Sequence, residues 1–169
     1  MKNPFTWLTR EIRTRAVLPF IPAGDLHVDI GCGLEKYLLR KSCYRKTIGF
    51  DPLLGNGIID KIPLEDSCAD CVTMLASIEH IEFPEIVIRE CHRIIKPQGR
   101  LIITTPKQKA LWITRLYDPG YEKVEGPHRQ YFDVNTMKNI TDKYFELMLS
   151  REFECGFNQL FVFRKKEIP

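Results

Sequence analysis

The segment Leu26-His27-Val28-Asp29-Ile30-Gly31-Cys32-Gly33 is a short apolar run that carries an acid near its end and opens at once into a Gly-x-Gly turn. It predicts a buried strand that delivers a ligand-binding loop. Glycines at 31 and 33 let the backbone take positive φ and let a ligand approach where no Cβ stands in the way. Asp29 sits where its carboxylate can reach into the crevice at the strand's end. Further along, Ile48-Gly49-Phe50-Asp51 closes a second apolar run with a second acid. In a doubly wound α/β fold, an acid at that place reaches ribose hydroxyls.

A Gly-x-Gly turn alone says little, and its surroundings discriminate better. A dinucleotide dehydrogenase wants a third glycine where this chain has Lys36. An acid before the turn also suits a cationic ammonium group better than a pyrophosphate. On these residues the chain resembles the class I S-adenosylmethionine-dependent methyltransferases, in their small-molecule, methyltransferase-11-like form. Their first motif reads Asp-x-Gly-x-Gly-x-Gly, and their second ends in an acid at the tip of the next strand. Residues Ile62-Pro63-Leu64-Glu65-Asp66-Ser67-Cys68-Ala69-Asp70 are similar to the family's Leu-Pro-Phe-x-Asp-x-x-Phe-Asp segment, and Glu79-His80-Ile81 to the sequence after its fourth strand. Ile95-Lys96-Pro97-Gln98-Gly99 resembles the Leu-Lys-Pro-Gly-Gly that precedes its fifth. The blocks run in the family's order from 26 to 106. One residue departs from the pattern: Glu35 stands where the family has its third glycine.

The resemblance implies a Rossmann-like, doubly wound α/β fold. Its sheet would be seven-stranded and mainly parallel, with a C-terminal antiparallel hairpin and helices on both faces. It implies S-adenosyl-L-methionine as cofactor, S-adenosyl-L-homocysteine as product, and no metal. Asp29, Gly31, Cys32 and Gly33 would hold the methionine end, Asp51 the ribose, and Pro52 with Leu53 one side of the adenine. Asp60, Lys61 and Ile62 are the candidates for the adenine edge. Leu75 and Ala76 would approach the amino acid part through their backbone.

The chain has 169 residues, 44% of them hydrophobic, which is the size of one domain with a good core. We therefore read residues 1–169 as a single domain: an N-terminal helix in 1–23, a cofactor-binding half in 24–106, and a substrate-side loop, helix and hairpin in 107–169. A formal net charge of +3 with only short Lys/Arg clusters does not point to nucleic acid. No apolar run has the length of a membrane span and no signal peptide opens the chain, so a cytoplasmic protein is expected. Cys68 and Cys71 form a Cys-x-x-Cys with His80, Cys91 and His92 nearby, a pattern to weigh as zinc or redox. Cys71 falls in a predicted strand and Cys91 on an apolar helix stripe, and there is no second close pair. Reduced, mostly buried thiols are expected instead.

Periodicity fills in the elements. Phe5, Leu8, Ile12, Ala16 and Phe20 recur at helical spacing between arginines, giving a basic amphipathic helix that ends at Pro19 and Pro22. A short helix is predicted from Glu35 to Ser42, a brief strand at Ile58-Ile59, and another strand from Cys71 to Leu75. Pro84 to Ile95 is the clearest helix, with proline at its start and Lys96-Pro97-Gln98-Gly99 as its stop. Leu101 to Thr105 reads as a strand buried on both faces. Asp133 and Thr136 cap a further helix carrying Val134, Met137, Ile140 and Tyr144, and Leu147–Cys155 with Leu160–Arg164 form a hairpin.

Methyl transfer from a sulfonium is an in-line displacement, so a base near the acceptor's proton is the group to look for. His80, after the fourth strand, is the first candidate, with Glu79 beside it facing substrate; the competing reading has the pair bracing the next helix. The loop from Asp118 to Tyr131 is the second region. Similar His-x-x-x-Phe sequences occur in small-molecule and sugar-type members of the family. That makes His128 a catalytic candidate and Arg129 and Tyr131 substrate contacts. The expected reaction is methylation of an oxygen or nitrogen of a small molecule, such as a glycan or lipid-linked metabolite. A homodimer or a partner chain could complete the open pocket. Two rivals stand beside this reading: a nicotinamide oxidoreductase, and a non-catalytic cofactor-binding, partner or regulatory module marked by Glu35.

Overall fold

The computed structural model describes residues 4–57, 61–110 and 129–167. The expected strand at Ile58-Ile59, together with Asp60, His128 and most of the 118–131 loop, lies outside the described residues. Among the described residues six strands form one sheet: β1 (Leu26–Ile30), β2 (Lys46–Phe50), β3 (Ala69–Leu75), β4 (Ile95–Pro106), β5 (Phe145–Phe153) and β6 (Asn158–Lys165). Their order is β2-β1-β3-β4-β6-β5. The first four run parallel, β6 lies antiparallel on β4, and β5 pairs antiparallel with β6. The hairpin therefore closes a doubly wound parallel sheet.

Strand alternation sorts the core into two layers. Leu26, Val28 and Ile30 of β1, Val72 and Met74 of β3, Leu101 and Ile103 of β4, and Phe161 and Phe163 of β6 share one face. Helix α2 (Pro84–Ile94) covers that face with Val87, Ile88, Cys91 and Ile94, and α3 (Val134–Thr141) covers it with Met137. On the other face, Cys71, Ile102, Leu160 and Val162 pack with Leu38 and with Val17 of α1 (Pro4–Val17).

The helices form for legible reasons. Pro84 sits in the first turn of α2 with Glu85, and His92 and Arg93 occupy its last turn, as the helix dipole favours. Asp133 and Thr136 make a reciprocal capping box on α3. Lys96-Pro97-Gln98-Gly99 does stop α2, but the chain enters β4 at once. Ile95 already pairs with Ala69, and the pairing resumes at Arg100 with Cys71. The residues between are looped out, with Gln98 at φ 63.

One predicted helix is corrected. From Gly33 to Leu38 the chain makes successive turns, and only Leu39–Lys41 close a 3-10 turn. Lys36 takes φ 48, which breaks a right-handed helix at that residue. The cysteine expectation is also narrowed. Cys32, Cys71 and Cys91 are buried, Cys68 is partly buried, and Cys43 and Cys155 are exposed; all six are free thiols.

Candidate functional site at the carboxyl ends of the parallel strands

β1, β2 and β3 end side by side, and their last residues bring the two predicted acids together. Asp29 and Asp51 are both buried. Gly31 and Gly33 take φ 78 and 64, as the turn requires. They differ in surroundings. A Cβ on Gly31 would lie 2.3 Å from the Ser77 Cβ, whereas one on Gly33 would meet nothing within 4 Å. Gly31 is packed and Gly33 faces open space.

Asp51 organises the loop. Its Oδ2 accepts from the Gly33 amide at 2.8 Å, and its Oδ1 accepts from the Leu53 amide at 2.9 Å, capping the 3-10 turn Pro52–Leu54. The Asn56 side chain accepts from the Asp51 amide and donates to the Gly49 carbonyl, which fixes the turn from the other side. Each Asp51 oxygen keeps a lone pair for a further donor. Pro52 is exposed and Leu53 is 68% exposed, so an apolar surface stands beside the acid.

Asp29 is held differently. It lies in register with Thr73 of β3, whose hydroxyl donates to Asp29 Oδ1 at 2.6 Å. Burial lifts its carboxyl from 3.8 to about 7; the Thr73 hydrogen bond opposes that shift and the charge of Asp51 adds to it. Cys32 is almost fully buried, and burial together with both acids pushes its thiol up to about 11, so it is an inert wall of the loop.

The remaining predicted residues fall into two groups. Leu75 ends β3 partly exposed, and Ala76 takes φ 50 with its amide donating to the Thr104 carbonyl. Ser77 then ties the strand ends together by donating to the Ile30 carbonyl at 2.9 Å. Lys61 is exposed, but Ile62 is fully buried and its amide donates to Glu90 Oε2, so Ile62 is corrected from a ligand edge to a core residue. Arg93 of α2 holds this segment through the carbonyls of Ile62 and Leu64 and the Asp66 carboxylate.

Glu79 is likewise corrected from a substrate contact to a brace. It is fully buried; its Oε2 accepts from Thr105, and its carbonyl accepts from the amides of Arg129 and Gln130. His80, beside it, is partly exposed. The brace brings Arg129 and Tyr131 to the same edge: Arg129 is exposed and pairs with Glu82 at 3.3 Å, and Tyr131 is partly buried. Glu35 pairs with Arg10 of α1 at 3.1 Å. Among the described residues no group of His, Cys, Asp and Glu is arranged to hold a metal ion, and no helix is long and apolar enough to cross a membrane.

Sequence reasoning missed Thr73, His27, Ser77 and Asn56. Thr73 and His27 matter through strand register, which a single sequence does not display. Asn56 carried a signal, an Asx residue in a Gly-flanked turn after the second acid.

Open doubly wound sheets bind their ligands at this carboxyl edge, where the chain places two acids and a glycine turn. Residues 8–144 match the family described as a methyltransferase domain, and the chain belongs to that family. The C-methyltransferase of ubiquinone and menaquinone biosynthesis from Paraburkholderia xenovorans (strain LB400) is 27% identical over 99 residues, 54% of this chain and 35% of that enzyme. The chain matches 16–35% of the length of its curated relatives. Among solved structures, a chain of the Haloferax volcanii Trm112 methyltransferase activator complex superposes with a TM-score of 0.74 at 15% identity, covering 93% of this chain and 90% of that one. An S-adenosylmethionine-dependent methyltransferase from Mesorhizobium loti gives 0.67 at 16%, covering 89% and 95%. At these identities the structural likeness speaks for the fold.

Proposed function

We propose that this protein binds S-adenosyl-L-methionine at the carboxyl ends of β1 to β3 and methylates a small molecule. The observation that carries the reading is the pairing of Asp29 and Asp51 around a glycine turn whose Gly33 face is open. The bound cofactor supplies an electrophilic methyl on sulfonium sulfur. Asp29 offers a carboxylate to its ammonium, Asp51 accepts from ribose hydroxyls, and Pro52 with Leu53 lines one side of the base. Cys32 and Gly31 form the floor of the loop, and Leu75 and Ala76 border the amino acid end. Lys61 borders the adenine side, and the family resemblance assigns Asp60 to the same edge. His80 takes the proton of the acceptor group, Arg129 and Tyr131 flank the acceptor, and His128 is the second candidate base.

The acceptor is read as an oxygen or nitrogen nucleophile on a small metabolite. The quinone-pathway relative supports an apolar ring compound within that class, with a carbon acceptor as the variant. The activator complex among the fold neighbours supports a partner chain completing the pocket. A second reading, a module that binds without turnover, is favoured by Glu35 being drawn to Arg10 where the family has glycine. Calorimetric titration with S-adenosylmethionine, S-adenosylhomocysteine and NAD tests both. Micromolar binding of the first two and none of NAD is expected, and Asp51→Ala should abolish it. Silence from all three overturns the proposal, and binding without turnover across an acceptor screen favours the second reading.

A further inference from the structure

Beneath the glycine turn, on the face of the sheet that α1 covers, four polar side chains form one continuous chain. Ser42 Oγ lies 3.0 Å from His27 Nδ1, His27 Nε2 lies 2.9 Å from Thr73 Oγ1, and Thr73 Oγ1 lies 2.6 Å from Asp29 Oδ1. His27, Thr73 and Asp29 are all buried, and Ser42 is partly exposed. The hydrogens can be assigned by elimination. Thr73 has one hydroxyl hydrogen. If Asp29 is ionised, that hydrogen points to Asp29 Oδ1 at 2.6 Å rather than to the Val28 carbonyl at 3.4 Å, so Thr73 must accept from His27 Nε2–H, and His27 Nδ1 must accept from Ser42. If Asp29 carries a proton on Oδ1, the oxygen that meets Thr73, every bond reverses: Asp29 donates to Thr73, Thr73 to Nε2, and Nδ1–H to Ser42. The imidazole stays neutral in both arrangements and only its tautomer changes.

We propose that His27, acting through Thr73, is a positioning residue for Asp29, and that the Ser42–His27–Thr73 chain reverses direction when Asp29 gains or loses its proton. Proton balance is simple. A proton arriving from Ser42 and solvent adds to Nδ1, the Nε2 proton moves to Thr73, and the Thr73 proton moves to Asp29; loss follows the same path outward. Resting on the reading that Asp29 meets the cofactor's ammonium, binding then expels one proton from any molecule in which Asp29 is protonated. Burial sets the tendencies. It lifts Asp29 to about 7 and lowers His27 from 6.5 to about 4, which keeps the ring neutral across the range in which Asp29 titrates. Among the described residues, the ionisable groups that interact with Asp29 are Asp51 at the end of β2, Cys32 in the turn and Cys71 on β3, and Lys36 in the turn acts on Cys32. Tyr44 packs against the His27 ring, with centroids 5.3 Å apart. On α1, Glu11 and Arg10 are taken up by Lys41, Tyr37 and Glu35.

The test is nitrogen-15 NMR of the His27 ring in the ligand-free protein, with calorimetry of S-adenosylhomocysteine binding at pH 6 and pH 8. The expected result is an Nε2–H ring at pH 8.5, an Nδ1–H ring at pH 5.5, and about tenfold weaker binding at pH 6 than at pH 8. Thr73→Val should abolish the tautomer change and weaken binding at pH 7, and Thr73→Ser should restore both. A ring that keeps one tautomer across this range, or a Thr73→Val variant with the parent's pH profile, overturns the proposal. If the ring switches but S-adenosylhomocysteine does not bind at either pH, the coupling to a cofactor falls with the functional reading. If binding is tight and independent of pH, the reading stands and the coupling falls.

Discussion

Two glycines two residues apart carry different constraints, and substitution should separate them. Gly31→Ala meets both a left-handed φ and the Ser77 side chain at 2.3 Å. We expect a loss of about 3 kcal/mol or more in urea unfolding. Gly33→Ala meets only the φ term, so about 1 to 2 kcal/mol is expected, while its methyl fills the face open to a ligand and binding falls in both variants. The buried acid and histidine below the turn make opposite contributions to pH dependence. The raised folded pKa of Asp29 removes stability as pH rises from about 4 to about 7. The lowered folded pKa of His27 removes stability as pH falls from 6.5 toward about 4. Between about 4 and 6.5 the folded pair and the unfolded pair bind the same number of protons, so the two slopes cancel. His27→Phe should expose the Asp29 slope: relative to the parent, stability should rise on acidification from pH 6.5 to pH 5 by on the order of 1 kcal/mol per unit, read as a shift in urea midpoint. A difference of opposite sign would refute the assignment.

The element that most rewards perturbation is α1, because its charges replace the missing helix after the glycine turn. Glu11 accepts from Tyr37, Lys41 and Arg15, and Arg10 reaches Glu35, so the turns of 33–41 are organised by tertiary contacts. Lys41 above all, then Tyr37, hold the Glu11 carboxyl down to about 2. Glu11→Gln should raise amide exchange in 4–17 and 33–41 by tenfold or more while β3 and β4 stay protected, as mass-spectrometric exchange would show. This also explains where element reading worked. Helix α2, strand β3 and the hairpin carry strong local periodicity and punctuation, so their places were legible. Residues 34–42 carry helix-like apolar spacing at Leu34, Leu38 and Leu39, but Lys36 takes φ 48 beside Glu35, which Arg10 of α1 holds. The site divides the same way. The convergence of Asp29, Gly31, Gly33 and Asp51 was legible because each sits at a strand end marked in the sequence. Thr73 and His27 were not, because their roles depend on which residues β1 and β3 place side by side. Glu79 misled because its position after β3 suggests a crevice, whereas its carboxylate turns to Thr105.

At the scale of the whole molecule the two apolar layers depend on β4 and β6, which contribute to both faces of the sheet. Phe161 is fully buried, stacks on Phe163 at 6.2 Å, and belongs to the layer under α2. Phe161→Ala should cost about 3 to 5 kcal/mol by denaturant titration and lower the Tm without changing the strand ends. α1 joins the far side of the sheet as well: Arg151 of β5 donates to the Ala16 carbonyl and lies over the Phe20 ring, and Arg100 donates to the Phe20 carbonyl. The order β2-β1-β3-β4-β6-β5 has a consequence for the growing chain. A ribosome delivers β5 before β6, yet among the described strands β5 pairs with β6 alone. Until β6 has been synthesised, β4 keeps an unpaired edge and the aromatic face of the hairpin has no seat, so the interval between the two strands is when a nascent chain needs shielding from its neighbours.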